Sequence, residues 1–200
     1  RVHFQDINDL SHYLKSKLIK AAPEKVVQVE VVPLVNLPEY DRDLKMSGIA
    51  DDYFAYAQII KVTWFHNPDG IHAVTHTKRV LLFALIIAAM EKFTADDKHI
   101  LCLAAIYHDI GRITDGYDPE HGVASYRKAN DNHLLQLDNQ EETEILRFII
   151  ENHAIPDQSA HKKLSRYQLS DVARTLRLYD AFKDADGLDR VRINDLNPEY

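Results

Sequence analysis

Apolar residues recur at intervals of three and four along most of the chain, the period of helices that bury one face. Ile7, Leu10, Leu14, Leu18 and Ala21 share such a face, on a first helix that closes before Pro23. The next stretch breaks the period. Between Lys25 and Leu37 the residues Val26, Val27, Val29, Val31, Val32 and Val35 are β-branched, and Pro33 and Pro38 interrupt the run. That pattern predicts an extended segment, as a short edge hairpin or a strand completed by a partner chain. Tyr53, Ala57, Ile60 and Trp64 mark another helix. Asn67-Pro68-Asp69-Gly70 ends one helix and starts the next, expected from about Ile71 to Phe93. Thr94, with Asp96 and Asp97 behind it, opens a helix that reaches Ile110 and stops at Gly111. Asp118-Pro119 starts another, with proline at the first helical position. A further helix covers about Gln140 to His153, entered through Asp138 or Asn139 and ended by Pro156. Ser170-Asp171 opens the last, through Tyr179 to about Lys183. The fold class is therefore all-α, a helical bundle with at most a short extended or β segment near residues 25–37.

Composition narrows the chemistry. Two hundred residues, 46% of them hydrophobic, suffice for a core without covalent staples. One cysteine, Cys102, excludes an internal disulfide framework and thiolate-rich zinc or iron–sulfur sites, and its apolar surroundings predict a buried, inert thiol. Eleven histidines direct any metal toward imidazole and carboxylate ligands. A net charge of −7 argues against gripping polymeric nucleic acid, while leaving room for a small anion held by a few cations or a metal. The longest apolar run, Val80 to Met90, falls short of the roughly 20 residues a membrane span needs, so it reads as a buried helix with no membrane partner. Arg1 to Leu10 are polar and acidic, unlike a secretory signal, and the expected compartment is cytoplasmic.

Five short pieces carry potential chemistry: His76-Thr77-Lys78-Arg79-Val80, Tyr107-His108-Asp109-Ile110-Gly111-Arg112, Glu120-His121-Gly122, Glu151-Asn152-His153, and Asp184-Ala185-Asp186-Gly187-Leu188-Asp189. The intervals from His76 to His108, from His121 to His153 and from His153 to Asp186 are each about 32 residues, one helix and its return in a bundle. Ligands from successive helices can thus meet at one level of the core. Adjacent residues in mid-helix point about 100° apart, but His108 and Asp109 stand where their helix stops, and can splay around one ion. A single buried histidine is commonly just a hydrogen-bonded core residue; it is the joint order that points to a metal. This order, over residues 66 to 190, resembles the HD superfamily of metal-dependent phosphohydrolases. The resemblance implies that His76, His108, Asp109 and Asp186 hold a first metal. In members with two metals, positions matching His121 and His153 hold the second, with Asp109 bridging. Residues 66–200 are thus expected to form the metal-binding domain, while residues 1–65 match no motif of the family and are expected to be a helical and extended addition packed on the core or making a homo-oligomer contact. Such a ligand set suits Mn, Fe, Co, Ni or Zn better than Mg.

The resemblance further implies hydrolysis of a phosphate ester of a nucleotide or small phosphorylated metabolite by metal-activated water, with Asp109 fixing the ions. Arg112, Lys183 and His72 are the candidates to hold the non-transferred phosphate oxygens. The alternatives are a solvated charge for Arg112 or Lys183, and support of a neighbouring ligand for His72, which shares a helical face with His76. Arg79 and Arg190 are expected to pair with acidic neighbours, Glu120 and Glu151 to orient imidazoles or face solvent, and Asp189 to end a helix or form a salt bridge. Gly70, Gly111, Gly116, Gly122 and Gly187, all near proposed ligands, are expected to permit turns. The same ligand order also resembles di-iron oxygenases, and a non-catalytic nucleotide-binding regulatory module is a further alternative.

Overall fold

Every residue from Ile100 to Tyr107 is buried, which requires a helix with neighbours on all sides. That helix is the centre of the computed structural model, which describes residues 47–135 and 137–190. The chain divides into two compact units, Arg1–Gly48 and Ile49–Tyr200, and the described elements belong to the second. The first helix near residues 7–21 and the extended segment at 25–37 lie outside the described residues.

Among the described residues the structure is all-α, with seven α-helices and no strand. They are α1 (Ile49–Ala57), α2 (Val74–Met90), α3 (Ala95–Tyr107), α4 (His121–Asp131), α5 (Gln140–Asn152), α6 (Asp157–His161) and α7 (Val172–Asp189). Turns of 3-10 helix lie at Val62–Trp64 and Leu164–Arg166. α3 is enclosed by α2, α4, α5 and α7; α2 also packs on α1 and α7, α5 on α4 and α7. The starts that depend on capping side chains fall where polar residues can supply them. Thr94 Oγ1 accepts from Asp97 N–H at 3.1 Å, Asn139 Oδ1 from Glu141 N–H at 2.9 Å, and Asp171 Oδ1 from Arg174 N–H at 2.8 Å. Lys98 ties α3 to α1 through Asp52 at 2.6 Å. Residues 49–65, read from the sequence with the N-terminal addition, lie in this second unit.

Several boundaries differ from the sequence pattern, each for a local reason. The helix expected through Tyr53 and Trp64 is two pieces, α1 and a 3-10 turn, and Trp64 turns over the end of α3 to meet Tyr107 at 5.5 Å between rings. α2 starts at Val74 instead of Ile71 because Ala73 N–H still closes a turn on Gly70 O. It ends at Met90 instead of Phe93 because Lys92 takes a left-handed conformation (φ 53°), letting Phe93 N–H return to Ala88 O at 2.9 Å. α3 stops at Tyr107, before the expected Ile110. α4 begins at His121, so Pro119 is not its first helical residue but sits in the preceding turn, where Asp118 Oδ1 accepts Glu120 N–H. The largest correction is at α7, which continues past Lys183 to Asp189. Its buried face runs on through Leu178, Tyr179, Phe182, Ala185 and Asp189, and this packing outweighs the ~1 kcal/mol that one glycine, Gly187, costs in a helix interior.

The glycines near the site serve close approach more than turning. Among the described residues the only glycine with positive φ is Gly48. A Cβ on Gly111 would lie 2.2 Å from the backbone N of Ser125, and one on Gly122 would lie 2.3 Å from Ile150 O. The missing side chains therefore let α4 touch both the end of α3 and the end of α5. Cys102 is fully buried, and burial pushes its thiol pKa up.

Candidate metal centre

Four histidines from four segments converge beneath the ends of α3 and α5. His76 stands in the first turn of α2, His108 and Asp109 directly follow α3, His121 opens α4, and His153 directly follows α5. Asp186 reaches in from α7, inside the helix and not beyond its end. His76, His108, Asp109, His121 and His153 are all buried.

Each imidazole is oriented from behind. His108 Nδ1 donates to Ala105 O at 3.0 Å, His153 Nδ1 to Ile150 O at 2.8 Å, and His121 Nδ1 to Asp118 O. In each case the acceptor is the carbonyl three residues earlier, and a carbonyl can only accept. The proton is therefore on Nδ1 and the Nε2 lone pair faces inward. His76 differs, with Nδ1 donating to the Asp189 carboxylate at 2.6 Å. Asp189 is buried and is also paired with Arg79 at 2.5 and 3.2 Å.

The inward nitrogens meet in two pairs, one on each side of Asp109. His76 Nε2 and His108 Nε2 are 3.0 Å apart, and Asp186 Oδ1 lies 3.2 Å from the former and 3.8 Å from the latter. Asp109 Oδ2 is 3.5 Å from both. On the other side, His121 Nε2 and His153 Nε2 are 2.8 Å apart, with Asp109 Oδ1 at 3.0 and 3.7 Å. Lone pairs facing each other at these distances, with carboxylates beside them, repel unless a cation lies between. Neutral imidazole and carboxylate are also the ligand types that divalent transition metals take. The donor set therefore fits metal, and His76, His108 and Asp186, or His108, Asp109 and His153, are grouped closely enough to share an ion.

The titration behaviour follows the geometry. Burial alone would lower the His76 pKa, but hydrogen bonds to Asp186 and Asp189 overcome it and raise it to about 9. In the metal-free fold this favours the protonated ring, held between Asp186 and Asp189. Burial lowers the His153 pKa to about 4, leaving its Nε2 open for coordination. Burial alone would raise the carboxyl pKa values of Asp109 and Asp186, yet the surrounding imidazoles hold both below the usual range.

The remaining residues singled out in the sequence fall into place around this centre. His72 Nδ1 is 3.3 Å from Asp109 Oδ2, and its ring stands edge-on to His76. Arg112 is no solvated surface charge: Nε donates to Asp109 Oδ1 at 2.9 Å and Nη1 to Gly116 O at 3.1 Å. Lys183 donates to His153 O at 2.9 Å and Ile155 O at 3.2 Å and lies 3.5 Å from Asp157, so its ammonium braces the segment carrying His153. Burial lowers its pKa. Neither glutamate orients an imidazole: Glu120 is exposed, and Glu151 is bound to Arg147 and Tyr167. Those orienting roles belong to Asp189 and to backbone carbonyls. Asp189 had a sequence signal, since it lies three residues after Asp186 as Arg79 lies three after His76, and such pairs share a helix face. The carbonyls had none, because every residue carries one.

A cleft of about 350 Å³ opens onto Asp109, with His72, Arg112, Lys183 and Arg190 on its walls. A second pocket of about 260 Å³, reaching Phe65 and Asn67, adjoins it along His72, Asp109 and Arg112. No helix of the described residues is long and apolar enough to cross a membrane. The family model described as HD domain matches residues 73–189, more than half of the chain. No curated protein and no solved structure matches it.

Proposed function

The chain belongs to the HD domain family, the metal-dependent phosphohydrolase superfamily, and from that premise we propose that it hydrolyses a phosphate ester of a nucleotide or small phosphorylated metabolite. The observation that carries this reading is the pair of facing imidazole couples on either side of one carboxylate, Asp109, at the floor of a cleft whose walls carry Arg112, Lys183 and Arg190 beside Asp115 and Asp118. His76, His108, Asp109 and Asp186 would hold one divalent ion, and Asp109, His121 and His153 a second. Bound there, such ions lower the pKa of a water and neutralise charge on the phosphoryl oxygens.

The chain's own residues supply the rest. Asp109 presents one oxygen to each side and keeps the two groups in register. Arg112, anchored on Asp109 and Gly116, places its guanidinium at the cleft wall, where it suits a phosphate oxygen. His72 stands at the junction of the two pockets and offers a further contact to the substrate. Lys183, with its donors engaged by the protein, contributes positive charge at the wall. The size of the cleft suits a small substrate of nucleotide scale, in a cytoplasmic setting.

The test is to strip the protein of metal, reload it with Mn, Fe, Co, Ni or Zn, and assay phosphate release from a panel of nucleoside phosphates and small phosphomonoesters. Activity is expected with at least one metal, and Asp109→Ala should lower it by at least about 100-fold, the scale of removing a principal electrostatic group. Iron-dependent oxygen consumption without phosphate release would assign the chain to oxygenase chemistry instead. Nucleotide binding without turnover under any metal would make it a regulatory module.

A further inference from the structure

The four imidazoles of the centre are not held alike. His108, His121 and His153 lean on neutral carbonyls, whereas His76 leans on the Asp189 carboxylate at 2.6 Å. The charges are unequal as well. Asp186 Oδ1 faces the His76–His108 couple. Among the described residues the carboxylate oxygen paired with the His121–His153 couple is Asp109 Oδ1, the same oxygen that Arg112 Nε already engages at 2.9 Å. Lys183, bound to the carbonyls of His153 and Ile155, feels the Asp186 charge and so does not distinguish the two sides.

Building on the metal-centre reading above, we infer that the two ion positions are unequal. The position among His76, His108, Asp186 and Asp109 binds tightly; the position among Asp109, His121 and His153 binds weakly and exchanges. Asp189 is the positioning residue that sets the difference. A carboxylate behind a ligating imidazole raises the basicity of its inward nitrogen and locks its tautomer, effects that a carbonyl produces more weakly. The Arg112 guanidinium, already engaging Asp109 Oδ1, draws on the charge that oxygen offers the second position and repels a divalent cation there. Arg79, at the outer edge of Asp189, shares the carboxylate's charge and moderates the effect.

The experiment is calorimetric titration of Mn²⁺ into the metal-stripped full chain, with metal content measured after gel filtration. Two binding steps are expected, and one ion should survive gel filtration. Asp189→Asn keeps an acceptor for His76 Nδ1–H but removes the charge; it should weaken the tight step by roughly 10–100-fold and leave the weak step in place. The surviving weak step also reports that the variant is folded. His153→Ala should abolish the weak step alone. Arg79→Gln, at a partly exposed position, relieves Asp189 of its counter-charge, so the tight step should stay unchanged or strengthen. If Arg79→Gln weakens it as much as Asp189→Asn does, the pair is merely structural and the inference fails. Two equal steps, or an Asp189→Asn that weakens both alike, would also overturn it while leaving the metal centre intact. A chain that takes up no Mn²⁺ at any step would instead overturn the metal-centre reading itself.

Discussion

Of the buried groups, His76 carries the clearest consequence for solution behaviour. Its pKa of about 9 in the metal-free fold lies above the ordinary imidazole value of about 6.5, because Asp186 and Asp189 outweigh desolvation. A raised folded-state pKa stabilises the metal-free protein most below about pH 6.5, and that contribution disappears as the pH climbs through about 9. Metal requires the neutral ring, so the two effects oppose each other. Apparent affinity at the first position should rise about tenfold per pH unit toward pH 9 and level off above it. Calorimetry in two buffers of different ionisation enthalpy at pH 7 should find close to one proton released with the tightly bound ion. His153, lowered to about 4, is already neutral there and has no proton to release. Absence of proton release on loading the first position would contradict the state assigned to His76. At this scale the candidate ligands were legible in the sequence, because only His, Asp, Glu and Cys supply such donors and their order along the chain was distinctive. Their protonation states were not, since these depend on the group behind each ring, and for three of the rings that group is a carbonyl.

Helix existence followed from the apolar period, whereas helix ends depended on contacts the period does not report. α7 illustrates this. Its periodic face was readable through Tyr179, but the buried positions Ala185 and Asp189 that extend it are a small residue and a charged one, neither of which signals a core. The glycines mark the same divide. Gly111 and Gly122 sit where α4 is pressed against neighbouring backbone, while a Cβ on Gly187 would meet nothing within 4 Å. Gly122→Ala and Gly111→Ala should each destabilise the fold by about 1–3 kcal/mol through overpacking. Gly187→Ala should stabilise it by about 0.5–1 kcal/mol by removing helix-interior glycine. Urea midpoints at constant slope measure all three, and a destabilising Gly187→Ala would mean that the helix is not formed through Asp186 as described.

For the molecule as a whole, ions bound at the centre would join α2, the ends of α3 and α5, the start of α4 and the last turn of α7, elements distant in sequence. An ion that binds the folded chain and not the unfolded one stabilises it by about 2.7 kcal/mol at a hundred times its dissociation constant. Scanning calorimetry should therefore show a higher melting temperature with excess Mn²⁺ and a return to the metal-free value with chelator. An unchanged melting temperature would mean that no ion links these elements. The sequence by itself determined the helical character of the described residues, the exclusion of thiolate-rich metal sites and the identities of the candidate ligands, because these rest on side-chain type and on a local period of 3.6 residues. Only the tertiary structure decided that the imidazoles meet as two couples astride Asp109, that Asp189 stands behind His76, and that Arg112 engages the Asp109 oxygen facing the His121–His153 couple. Those relations are set by how helices far apart in sequence pack together, and by backbone carbonyls that every residue carries alike.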